Sequence, residues 1–167
     1  MQHLFKLRPY FLTLYLLLIA VSLGAALASG AFATSSIFRA AEIVKNLEIT
    51  TFQSGVLMTS IFIKLNVLLN ILALYILIYE IFTLSVCRKK VTPLLGLINV
   101  ILIFLFTLYY TPFIVEAQSL GEESFYSETF ATMHHQSVLV FKVLMASLFI
   151  LFIYRLLRII NSGCKDK

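Results

Sequence analysis

The sequence predicts an all-α integral membrane protein, a four-helix transmembrane bundle with N-in/C-in orientation, and three observations lead there. Four apolar runs, residues 10–33, 61–86, 94–115 and 138–154, occupy more than half of the 167 residues. A hydrocarbon core about 30 Å thick takes roughly 20 helical residues, with about 17 as the lower limit, and each run reaches that length. Composition agrees: 60% hydrophobic, 13% charged and a mean hydropathy of +0.97 lie far from the soluble norm of about 25% charged.

The third observation is where the charges fall. Lys6 and Arg8 precede the first run, Arg88, Lys89 and Lys90 separate the second from the third, and Arg155, Arg158, Lys165 and Lys167 follow the fourth. The stretch between the third and fourth runs carries Glu116, Glu122, Glu123 and Glu128 and neither Lys nor Arg. By the positive-inside rule the basic segments are cytoplasmic and the acidic one is outside. The net charge of +5 is thereby explained by topology, and no nucleic-acid partner is expected. The bilayer is the expected partner, with a membrane-protein partner or a second copy of the chain as further candidates. The location is the cell membrane, multi-pass, which in a bacterium is the cytoplasmic membrane.

The first run has a rival reading as a signal peptide, since Lys6 and Arg8 form a basic n-region and Ala26-Leu27-Ala28 or Ala31-Phe32-Ala33 resembles a cleavage site. Its length exceeds the usual h-region of about 7–15 residues, which favours a retained helix. Gly24, Ala26, Ala28 and Gly30 give its second half faces where another backbone can approach, or where a ligand has room. A partly helical outer segment, 38–55, follows.

The second helix is expected to begin near Thr50 and run to Val86, carrying Lys64, Asn66, Asn70 and Glu80. An ionised carboxylate in the inner leaflet needs a partner, and Arg155 or Arg158 is in reach for Glu80. Asn66 and Asn70, one turn apart, should bond to another helix. With no Trp in the chain, Tyr10, Tyr79, Tyr109, Tyr110, Tyr126 and Tyr154 are placed to form the interfacial belt. Cys87 and Cys164 are both expected on the reducing side, which excludes a disulfide scaffold and a paired-cysteine thiol oxidase.

Lys142 lies about 20 Å from Arg155 along the fourth helix, flanked by Phe141 and Val143, and a charge at that depth needs a reason. It pairs with Glu116, snorkels, or meets an anionic or redox ligand. Ser22, Asn70 and Thr107 come out at similar depth. His134 is eight residues earlier and shares its face. His134 and His135, beside Met133, are candidate metal ligands, although adjacent helical positions diverge by about 100°. Arg39, Glu116, His134 and Lys142 are thus the candidate ligand-binding residues. No pair of mid-membrane His supports a haem, the first span lacks the carboxylate of a small proton-coupled drug exporter, and no enzyme signature is present. The cofactor is unassigned.

The stretch Gly30-Ala31-Phe32-Ala33-Thr34-Ser35-Ser36-Ile37-Phe38-Arg39-Ala40, then Phe52-Gln53-Ser54-Gly55 leading to Phe62, and Phe130-Ala131-Thr132-Met133-His134-His135-Gln136-Ser137 resemble the transmembrane protein 205-like family. In that family a Gly- and Phe-rich first helix ends in a Phe-Arg-Ala-like motif and the last helix opens with Phe-x-x-Leu-His-x-x-Ser. Here Met133 replaces the Leu, and Thr34-Ser35-Ser36 stands where relatives often have Ala-Pro. The resemblance implies a single four-helix membrane domain over 1–167; a eukaryotic relative is associated with platinum-drug tolerance, but no chemistry transfers to these positions. Two readings stand: a protein that binds or moves a small solute or metal ion, and a non-catalytic structural or assembly subunit of a membrane complex.

Overall fold

A computed structural model describes residues 2–86 and 91–163, with side chains described at 9–84 and 91–161. Lys6, Arg8, Cys87, the Arg88 to Lys90 cluster, Cys164, Lys165 and Lys167 therefore carry no side-chain description. Every regular element among the described residues is helical. The order is α1 (Gln2–Leu27), a π-helical stretch (Ala28–Ala33), α2 (Thr34–Phe38), α3 (Ala40–Ile43), α4 (Thr51–Val86), α5 (Val91–Phe104), a second π-helical stretch (Leu105–Tyr110), α6 (Thr111–Ser119), α7 (Glu122–Phe125) and α8 (Glu128–Gly163). These elements join into four rods long and apolar enough to cross a membrane, Pro9–Phe38, Thr51–Leu84, Val91–Ser119 and Glu128–Asn161. The chain is a multi-pass membrane protein.

The rods run up, down, up and down, and each packs on its two neighbours in a ring: first on second, second on third, third on fourth, fourth on first. Residues 9, 84, 91 and 161 consequently lie at one end of the bundle, and 38, 51, 119 and 128 at the other. Tyr15, Ile19, Leu72, Ile76, Ile103, Leu144, Leu148 and Leu151 are fully buried along the axis. Large apolar side chains face outward on all four rods, among them Leu17, Ile78, Ile101 and Phe149. In water such a surface would be an association hazard, while against lipid it costs nothing.

Helix starts follow from local chemistry. At the head of α4 the Thr50 hydroxyl accepts from the Gln53 amide at 3.1 Å while the Gln53 side chain accepts from the Thr50 amide at 3.0 Å, a reciprocal capping box. At α8 the Ser127 hydroxyl accepts from the Phe130 amide. Gly121, at φ +98°, makes the bend between α6 and α7 that a side chain would resist.

Several expected boundaries move. Residues 116–137, expected as an acidic loop, are mostly helical, and the Met133 to Ser137 motif sits inside α8. The capping serine and Glu128 in the first turn extend that helix ten residues before its apolar run begins. Of the tyrosines assigned to an interfacial belt, Tyr10, Tyr109, Tyr126 and Tyr154 are exposed, but Tyr110 is buried and the Tyr79 ring lies against an arginine inside the bundle.

Candidate functional site

At the end where α2, α4, α6 and α8 meet, packing opens into a cavity of about 670 Å³. All four rods contribute: Ala26 and Gly30 from the first, Met58 and Phe62 from the second, Phe106 and Gln118 from the third, His134 and Lys142 from the fourth. Six phenylalanines, at 38, 62, 106, 125, 130 and 141, line it. Its inner end is an aromatic trio, with Phe62 edge-on to Phe141 at 5.4 Å and to Phe106 at 6.0 Å, and Phe106 5.1 Å from Phe141. At the outer end Phe125 of α7 packs between Phe52 and Phe130 and directly over Gly55, where a Cβ would lie 3.0 Å from its ring.

The two π-helical stretches flank this cavity. In the third rod Pro112 has no amide proton to give Leu108 and its ring crowds that carbonyl, which accounts for the widened turn before it. In the first rod the Ser29-Gly30 pair sits at the same kind of distortion. Each stretch is followed by a threonine whose hydroxyl donates five residues back, Thr34 to the Ser29 carbonyl at 3.1 Å and Thr111 to the Phe106 carbonyl at 3.0 Å. Widened turns of this kind concentrate at functional sites.

The predicted site residues divide. His134 and Lys142 line the cavity together, as their shared helical face requires. His134 also stacks on Phe130 with rings 5.8 Å apart and 5° from parallel. Arg39 and Glu116 are not in the lining: Arg39 makes an exposed ion pair with Glu42 at 3.8 Å, and Glu116 is exposed, its carbonyl accepting from Ser119. Lys142 makes no ion pair with Glu116 or any other described carboxylate. The polar set placed beside it by depth pairs otherwise, with Thr107 donating to Asn70 at 2.8 Å and Ser22 buried without a partner. Asn66 donates to Thr111 at 2.9 Å, so both asparagines do bond across helices. For the metal reading, no three His, Cys, Asp or Glu side chains come together among the described residues, and His134 and His135 gain no further ligand of that kind. The small-residue face is used on one side only: Ala26 is buried and Gly30 meets Phe141, whereas Gly24 has nothing near it.

A second buried polar group lies toward the other end. Glu80, fully buried, accepts from Arg155 and from the Tyr15 hydroxyl at 2.7 Å, both on Oε1. The guanidinium lies over the rings of Tyr15 and Tyr79, at 4.9 and 5.0 Å. Gly96 leaves the space for the carboxylate, since a Cβ there would come within 2.7 Å of it. Arg158 reaches a different partner, the Thr92 hydroxyl at 3.1 Å. Neither Tyr15 nor Gly96 was singled out from the sequence; a tyrosine and a glycine inside apolar runs were the available signals.

With this geometry in place, comparison with known families is informative. Residues 17–123 match the family described as a domain of unknown function, DUF4149. The chain belongs to the DUF4149 family. That segment contains most of the first rod, the second and third rods and most of the cavity wall, while the cavity face of α8 lies beyond it. No curated protein and no solved structure matches the chain.

Proposed function

We propose that this DUF4149 protein binds a small, largely hydrophobic solute in the cavity and performs no chemistry on it. The carrying observation is the cavity itself. Its volume of about 670 Å³ falls within the roughly 300–1,000 Å³ of sites for drug-sized molecules. Its wall is predominantly apolar and aromatic, with a few polar groups among them, which is the composition of a site for a hydrophobic molecule.

The three sequence stretches that resemble the transmembrane protein 205-like family support a functional reading of this place. Gly30, Thr34 and Phe38 from the first, Gly55 and Phe62 from the second, and Phe130, His134 and Ser137 from the third all line the cavity. The resemblance to that family is part of this proposal. So is the orientation: the sign of the charges puts the cavity at the outer, non-cytoplasmic end and both termini inside, in the cytoplasmic membrane if the cell is bacterial.

Native mass spectrometry of protein purified in mild detergent tests the reading. The wild type is expected to carry a small molecule at near one-to-one stoichiometry, and Ala31→Phe, which adds a ring at a position of the cavity wall, is expected to lose it while keeping its helix content. A ligand-free wild type bound tightly to another membrane subunit overturns the proposal in favour of an assembly role.

A further inference from the structure

We infer that the cavity takes a hydrophobic organic anion, with its charge against Lys142 and its apolar body among the phenylalanines. This deepens the solute-binding reading and rests on it. His134, Val138, Phe141, Lys142 and Met145 fall on one face of α8 and line the cavity together. Lys142 stands 14 residues from the start of a helix whose spanning part is Glu128–Asn161, about 21 Å from that end, with Phe141 and Val143 on either side in sequence and its own side chain exposed.

Among the described residues no aspartate or glutamate lines the cavity, and none lies within ion-pairing distance of Lys142. An exposed ammonium group on the wall of an apolar chamber at membrane depth, with no carboxylate beside it, favours an occupant that supplies the negative charge. A cation would be repelled, and a neutral hydrophobe would leave Lys142 uncompensated.

The remaining polar groups sharpen this. The hydroxyls of Thr34, Thr59, Thr111 and Ser137 donate to backbone carbonyls, so their protons are committed, which leaves the Thr51 hydroxyl, the Gln118 amide and the His134 ring as uncharged donors beside the lysine. Lys142, with three N–H groups and no hydrogen bond among the described residues, is then the strongest donor facing the chamber. A carboxylate carried on an aliphatic chain or an aromatic ring has the required chemistry. The former would come from the bilayer, the latter from solution.

The full chain in nanodiscs of zwitterionic phospholipid, probed by equilibrium dialysis with dodecanoate, methyl dodecanoate and 1-naphthoate, gives the test. At least one of the two anions is expected to bind about tenfold or more tighter than the ester, and the one preferred tells the membrane source from the aqueous one. Lys142→Gln should bring the anions down to the level of the ester, and Lys142→Arg should restore the preference. Equal binding of anions and ester by the wild type, or a preference that survives Lys142→Gln, overturns the inference while leaving the cavity as a solute site. Binding of none of the three probes overturns both.

Discussion

Arg155→Met is expected to destabilise the folded bundle by about 3–5 kcal/mol, measured by thermal or denaturing-detergent unfolding of the purified protein. The reason is what it leaves behind. Glu80 is fully buried, one of its carboxylate oxygens already lacks a partner, and without the guanidinium only the Tyr15 hydroxyl remains to hold the other. A charge stranded inside a lipid-embedded bundle must either take up a proton or pull the helices apart to reach water. Two tyrosine rings also lose the cation lying over them. Adding Glu80→Met to Arg155→Met should recover most of the loss, because replacing both members of a buried pair by apolar groups is commonly near neutral. A double variant as unstable as the single one would mean that packing around Arg155, and not the unpaired carboxylate, sets the cost.

Gly96→Ala is expected to produce a loss of about 1–3 kcal/mol, the range for overpacking a close-packed interior, from the addition of a single methyl group. The new carbon would lie 2.7 Å from both Cγ and Oε1 of Glu80, and the carboxylate cannot swing clear without leaving Arg155 and Tyr15. The effect should therefore depend on Glu80 itself. In a Glu80→Met/Arg155→Met background the flexible apolar side chain, no longer held by a partner, can turn away, and the same substitution should cost close to nothing, a coupling that a double-mutant cycle measures directly. An equal cost in both backgrounds would show that Gly96 serves helix packing in general and has no particular relation to the carboxylate.

What was legible in the sequence divides along physical lines. Span number, helical class and the need of Glu80 for an arginine follow from the requirement that a bilayer imposes on every backbone and every charge, and that requirement acts on each residue separately. The joint exposure of His134 and Lys142 followed from helical spacing alone. Depth without rotation was a weaker guide: it put Ser22, Asn70 and Thr107 around Lys142, whereas Thr107 bonds to Asn70 and the lysine faces the cavity. The position of Glu116 shows the same limit. Helix α6 continues through it and places it outside the cavity wall, while its neighbour two positions on, Gln118, is in that wall. The cavity could not be foreseen at all, because a void is a property of how rods pack together, and the widened turns that shape it depend on Pro112 and on threonine hydroxyls reaching five residues back.

Those widened turns also determine where the chain can change length. In an α-helix each residue advances the face by about 100°, so losing one residue from the fully buried stretch around Leu72 and Ile76 would turn the following side chains out of the core. Losing one residue from Ala28–Ala33 or Leu105–Tyr110 can instead be taken up by tightening the wide turn to an ordinary one, leaving the flanking helices in register. The bundle thus has two places where a one-residue deletion reshapes the chamber wall without disturbing the half of the molecule that holds Glu80 and Arg155, and size variants of the chamber are open to it at little structural cost.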